Sequence, residues 1–156
     1  MTSPVKLFSY VGSLVGNGAD LDEHVLLSYT LPGGTLSDDG MVLHMIAAGT
    51  AISGTDDKIA RIDLNGVPSL IASTLNVVHA VMWTIETFIT RNGNTGLLRI
   101  GREVQQAGAP VGVFKYQSTM PVDWSQDTVF TVTGQNLTNP VANSIEAGSF
   151  IVMLWP

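Results

Sequence analysis

Three histidines, His24, His44 and His79, are the residues of this sequence best suited to moving protons or holding a metal, and their spacing serves neither. A zinc or iron site needs two or three ligands that converge, and the chain has no HxH or HxxxH pair to start one. His44 lies inside the apolar run Met41 to Ala48, where a hydrogen-bonded structural histidine is expected. His24 follows Asp20, Asp22 and Glu23, which are oxygen ligands of the kind calcium takes; a solvated acidic turn is the expected reading. The pairs Asp38-Asp39 and Asp56-Asp57 have the composition of a glycosidase acid and base. Both sit among Gly, Ser and Thr, where aspartate is favoured because its side chain bonds nearby backbone.

Glu86 stands between aromatic and β-branched residues and is the one carboxylate whose pKa burial would raise. As an ordinary strand residue it would face solvent or pair with Arg91, Arg99 or Arg102. No serine occupies a GxSxG elbow, Gly16-Asn-Gly18 lacks the third glycine of a dinucleotide loop, and there is no cysteine. The expectation is therefore no catalytic residue, no metal site and no cofactor. Asn136-Leu-Thr138 matches a glycosylation sequon, discounted for want of a signal peptide. Among the aromatic residues, Trp83 and Trp155 sit in apolar strands and read as core. Trp124, in Pro121-Val-Asp-Trp-Ser125, falls in a turn region and is the one tryptophan a ligand could reach, with packing under a loop the favoured reading over ligand binding.

These residues are carried by strands. In Val81 to Arg91 the odd positions Val81, Trp83, Ile85, Thr87 and Ile89 alternate with Met82, Thr84, Glu86, Phe88 and Thr90, and period two means strand. Asn92-Gly93 then signals a hairpin, so Leu97 to Val104 returns antiparallel. The same pattern marks Val25 to Leu31, Met41 to Ala48, Ile59 to Leu64, Ser69 to Ser73, Val111 to Tyr116, Thr128 to Thr133 and Phe150 to Trp155. About nine strands result, punctuated by 16 glycines and seven prolines. The best helical candidate, Arg102 to Ala107, spans about a turn and a half and ends at Gly108, too little to expect a helix there. Short strands at this spacing predict an all-β fold, a single jelly-roll-like antiparallel β-sandwich of about 8 to 10 strands.

A chain of 156 residues fits one domain of this kind. The domain is expected over residues 25 to 156, with residues 1 to 24 as an N-terminal arm or attachment segment hinged at Gly16-Asn-Gly18. Only 13% of residues are charged, against about a quarter in an ordinary globular domain. The net charge of −6 disfavours binding to nucleic acid. No apolar run reaches the roughly 18 residues of a membrane-spanning helix, so membrane insertion is not expected. Met41 to Ala48 and Phe150 to Trp155 are apolar on both faces, which an antiparallel sheet with a wet face does not tolerate. Burial of one face against other subunits is expected, through Met41, Leu43, Met45, Ile151, Met153 and Trp155.

Leu26-Leu-Ser-Tyr-Thr-Leu-Pro-Gly-Gly-Thr-Leu-Ser37, followed by Gly40-Met-Val-Leu-His-Met-Ile-Ala-Ala-Gly-Thr50 and Lys58-Ile-Ala-Arg-Ile-Asp-Leu-Asn-Gly66, resembles tailed-phage virion proteins. Trp83-Thr-Ile-Glu-Thr-Phe-Ile-Thr-Arg91, Asp127 to Gln135 and Phe150 to Trp155 extend the resemblance over about residues 25 to 155. The resemblance implies a homotrimeric jelly-roll module on a bacteriophage particle, made in the bacterial host cytoplasm. It also implies a non-enzymatic role. The first expectation is a capsid decoration protein that binds the major capsid protein, or another virion protein, and stabilises the assembled head. The alternative is a receptor- or carbohydrate-binding module of a tail fibre or tip, touching a host-surface glycan through loop residues Asp38, Asp39, Asp56, Asp57 and Trp124.

Overall fold

The computed structural model describes residues 3–52, 57–65, 67–76, 81–93, 96–107, 109–117 and 121–156, with side chains described for 3–52, 57–65, 82–93 and 121–156. Period-two segments pair into strands β1 (Val5–Gly16), β2 (His24–Leu31), β3 (Val42–Ala51), β4 (Asp57–Leu64), β5 (Val67–Asn76), β6 (Val81–Asn92), β7 (Gly96–Ala107), β8 (Ala109–Gln117), β9 (Thr128–Asn136) and β10 (Ile145–Trp155). One sheet runs β1-β10-β3-β6-β7-β8 and the other β2-β9-β4-β5. Pairing is nested: β1 with β10, β2 with β9, β3 with β6 and β4 with β5, all antiparallel. A long hairpin rolled up on itself gives this order, which is a jelly roll, and β7 and β8 widen one sheet beyond β6.

Alternation decides which side chains fill the space between the sheets. Across the six-stranded sheet, Leu154, Leu43 and Ile89 share one row, Val152, Met45 and Thr87 the next, and Phe150, Ala47 and Ile85 a third. Most of these are fully buried and meet Leu31, Ile62, Phe130 and Val132 of the other sheet in one core. Leu43 and Met45, expected at a subunit interface, are therefore core residues of their own chain, each 0% exposed. At the end of these rows β10 bulges between Ala147 and Ser149. There a Cβ on Gly49 would lie 1.8 Å from the Glu146 carbonyl oxygen and 2.6 Å from the Trp83 ring. The bare backbone at Gly49 lets Trp83 close the core, its indole N–H donating to the Thr50 carbonyl at 3.2 Å.

One expectation changes. Residues 5–16 do not hang off the body: β1 pairs with β10 from Val5↔Leu154 to Gly16↔Glu146. Its Phe8 stacks on Tyr29 at 4.9 Å and meets Phe150 edge-on at 5.9 Å, bridging the sheets. Mixed, mostly exposed character hid this strand, because an edge strand needs only one apolar row and β1 slips register twice. The short helical candidate at Arg102 to Ala107 is the end of β7, a strand held by partners on both sides. The Asn92-Gly93 hairpin forms as expected, with Asn92 opposite Gly96 and Gly93 at φ +74°.

Candidate functional site

Three connections meet at one end of the sandwich: residues 32–41 between β2 and β3, the end of β6, and residues 121–127 before β9. Gly33 N–H donates to Asp127 at 2.9 Å and Gly34 N–H to the Trp124 carbonyl at 2.8 Å, fixing the first connection on the third. Arg91 N–H donates to the Met41 carbonyl and Gly40 N–H to the Arg91 carbonyl, both at 3.0 Å. The Arg91 guanidinium reaches back to the Leu36 carbonyl and lies 3.4 Å from Asp39. Between these segments opens a cleft of about 300 Å³ lined by Gly34, Ser37, Arg91, Asp123, Trp124 and Ser125. That is the lower end of the range for small-molecule sites.

The cleft is a hydrogen-bonding site with one aromatic wall. Asp123 is exposed, and its Oδ1 accepts from the Ser125 N–H at 3.0 Å and the Ser125 hydroxyl at 2.6 Å. These bonds hold the Asp123 carboxyl below its ordinary value, so it remains an acceptor across neutral pH. Trp124 is only 3% exposed, so it is packed under the loop, the favoured of the two readings for its turn. Carboxylate, guanidinium and hydroxyl groups around an apolar wall suit a hydroxyl-rich ligand.

Of the loop residues expected to bind, Asp38, Asp39 and Trp124 lie at this end. Asp38 accepts from the Ser37 hydroxyl at 2.6 Å, and Asp39 accepts from Gly93 N–H at 2.9 Å, so both brace turns. Asp57 starts β4 beyond the far end of β9, where its carbonyl accepts from Leu137 N–H at 3.0 Å. Nine residues of β9, roughly 30 Å of strand, separate it from Trp124. Asp56 lies outside the described residues, as does His79. Arg91, Asp123 and Ser125 escaped sequence reasoning as a group, although Asp-x-Ser is the signature of a side chain bonding backbone two residues on.

At the opposite end, Asn17, Asn136 and Ser144 are almost wholly buried. Asn17 Oδ1 accepts from Ile145 N–H at 3.0 Å, and Asn136 donates to the Val141 carbonyl at 3.0 Å and accepts from the Ser144 hydroxyl. The sequon asparagine is thus a staple inside the fold. Nearby, Asp20 bonds His24 at 2.7 Å, and that bond keeps its carboxyl below the usual range. Among the described residues no group of three such side chains converges to hold a metal.

The two outer sheet faces differ in kind. On the four-stranded sheet Arg61 pairs with Glu23 at 2.7 Å and donates to Gln135 at 3.2 Å, with Thr133 between Glu23 and Asp63. Burial pushes the Glu23 carboxyl up, but bonds from Thr133 and Arg61 outweigh it and hold the group below its ordinary value. On the six-stranded sheet, one outward row sets Met153, His44 and Phe88 side by side, and the next Ile151, Ile46 and Glu86. Glu86 takes His44 as its partner, at 2.8 Å, whereas Arg91 goes to Asp39. The His44 ring stacks on Phe88 at 4.1 Å. Met41 is half-buried against the core, while Ile151, Met153 and Trp155 lie on this outward side, Trp155 being 40% exposed rather than core.

The sequence matches no protein-family model and no curated protein. A solved structure to which the chain is similar is the CBM2 module of the evolved Dit of Lactobacillus casei BL23 phage J-1. The two share 10% identity and a TM-score of 0.47, over 82% of this chain and 67% of that one.

Proposed function

We propose that this protein is a non-enzymatic binding module on the surface of a tailed-phage particle, and that it recognises a host-surface glycan in the cleft at Arg91, Asp123 and Ser125. The observation that carries the reading is the cleft itself, about 300 Å³ of space walled by Trp124 and edged with ionised and hydroxyl groups. Sugar hydroxyls both donate and accept, so an acceptor-only carboxylate beside a donor-only guanidinium satisfies them in complementary pairs. Binding through one such cleft is weak, and a homotrimer on the particle would multiply it by presenting several clefts at once. The strand motifs shared with phage virion proteins support the particle context, and the integration of β1 into the sheet disfavours the arm by which a head-decorating protein would clip onto a shell.

The test is a glycan array probed with the whole protein, alongside its Asp123→Ala variant. Saturable binding to a defined saccharide, lost by at least about tenfold in the variant, is expected; equal binding by both forms overturns the cleft as the site. Electron microscopy of labelled particles places the module. Label at the tail supports receptor recognition, and label over the head puts capsid decoration in its place.

A further inference from the structure

We infer that the cleft edged by Asp123 selects its saccharide by charge: it takes a sugar unit bearing a protonated amine in preference to a neutral unit, and it repels one bearing carboxylate, sulfate or phosphate. This rests on the glycan reading of the cleft and adds the class of sugar. Four carboxylates, Asp38, Asp39, Asp123 and Asp127, stand at this end of the sandwich against one guanidinium, Arg91, among the described residues. The Arg91 charge is met within the protein, by the Leu36 carbonyl and by Asp39 at 3.4 Å. What the cleft turns toward a ligand is therefore negative on balance, in a chain that already carries −6.

Asp123 is the carboxylate placed to make the contact. It lines the cleft and is exposed, and the two bonds it accepts from Ser125, at 3.0 and 2.6 Å, both fall on Oδ1. Those bonds keep it ionised at neutral pH, while Oδ2 accepts no bond from the described residues. An ammonium offers N–H donors and no acceptor, so it meets that oxygen with a charge-assisted bond that a hydroxyl or an acetamide makes more weakly. Asp38, Asp39 and Asp127 are bound to Ser37, Gly93 and Gly33, so they act on the ligand through their charge.

Volume and the spread of charge point to the same occupant. A cleft of about 300 Å³ has room for about ten waters at roughly 30 Å³ each, which is the space of a sugar ring or two. An amine on a ring held there sits against the cleft's own charges rather than out in solvent, where salt would screen it. Among the described residues no three carboxylates or histidines converge as the ligands of a metal ion would. The negative charge is distributed along the rim instead, an arrangement that suits a ring-borne ammonium.

Chemical-shift titration of the full chain with glucosamine and galactosamine, their N-acetyl forms, and glucuronate and galacturonate reads the selection directly. For at least one stereochemistry the amine is expected to bind about fivefold more tightly than its N-acetyl form, the scale of a solvent-facing ion pair, and the uronate more weakly than either. Raising the salt concentration should narrow the gap. Asp123→Asn, which keeps an oxygen for Ser125, should bind the amine and N-acetyl forms alike. Asp22→Asn at the opposite end makes the same change in net charge and should leave the preference intact. Equal affinity for the amine and N-acetyl forms in the native protein, or a preference that survives Asp123→Asn, overturns the inference while leaving the glycan reading standing. Binding of none of these sugars overturns the inference as well, and the glycan array then decides separately whether the cleft takes any saccharide.

Discussion

Thr87 shows how a single side chain can be out of step with its surroundings. Its row on β6 faces the core, between Met45 and residues packed from the opposite sheet, and it is 0% exposed. The hydroxyl has no hydrogen-bond partner among the described residues. An unpartnered buried hydroxyl costs about 1 to 3 kcal/mol relative to an apolar group of the same shape. Thr87→Val is therefore expected to stabilise the protein by about 1 kcal/mol, seen as a higher urea midpoint with an unchanged slope. His44, by contrast, is polar on the outward side and has half of its bonding met by Glu86. Alternation along Val81 to Arg91 predicts that Thr87 points with Ile85 and Ile89, but not that its oxygen goes without a partner. That depends on what β3 and the other sheet bring opposite it.

Strands and turns are the scale at which the sequence is most readable. Period two and Asn-Gly turns place nine of the ten strands close to where they fall, and Gly93 and Asn65 take the positive φ that their turn positions imply. The exception is β1, whose partner β10 lies at the other end of the chain. Gly49 also acquires its meaning only at this scale. It reads as a strand terminator, yet it lies within β3, opposite the bulge in β10 and beneath Trp83. A methyl group there meets backbone, which moves less readily than a side chain. Gly49→Ala is expected to cost about 1 to 3 kcal/mol through overpacking and to lower the thermal midpoint, with near-ultraviolet dichroism reporting a disturbed Trp83.

Over the whole molecule, the acidic groups set the response to pH. The folded state holds the Glu23, Asp20 and Asp123 carboxyls below their ordinary values. A depressed folded pKa means that the unfolded chain binds protons first as pH falls, so their contribution is complete above the unfolded value of about 4 and is lost below it. The thermal midpoint is expected to decline from about pH 4.5 downwards. In Glu23→Gln it should start lower and decline less steeply, since that variant lacks the group tied to Arg61 and Thr133. A variant whose acid limb matches the native one would assign the loss to other carboxyls.

What the sequence determined by itself is what local spacing encodes: strands rather than helices, turns at glycine and proline, two stretches apolar on both faces, and aspartates that brace loops. Each follows from a side chain and its immediate backbone. Tertiary structure decided everything that depends on which strand lies beside which. Nested pairing brought Asp39, Arg91 and Asp123 to one end and sent Asp57 to the other. It turned Leu43 and Met45 into the core while leaving Ile46, Ile151 and Met153 outside, because alternation gives each strand two faces and only the partner sheet chooses between them.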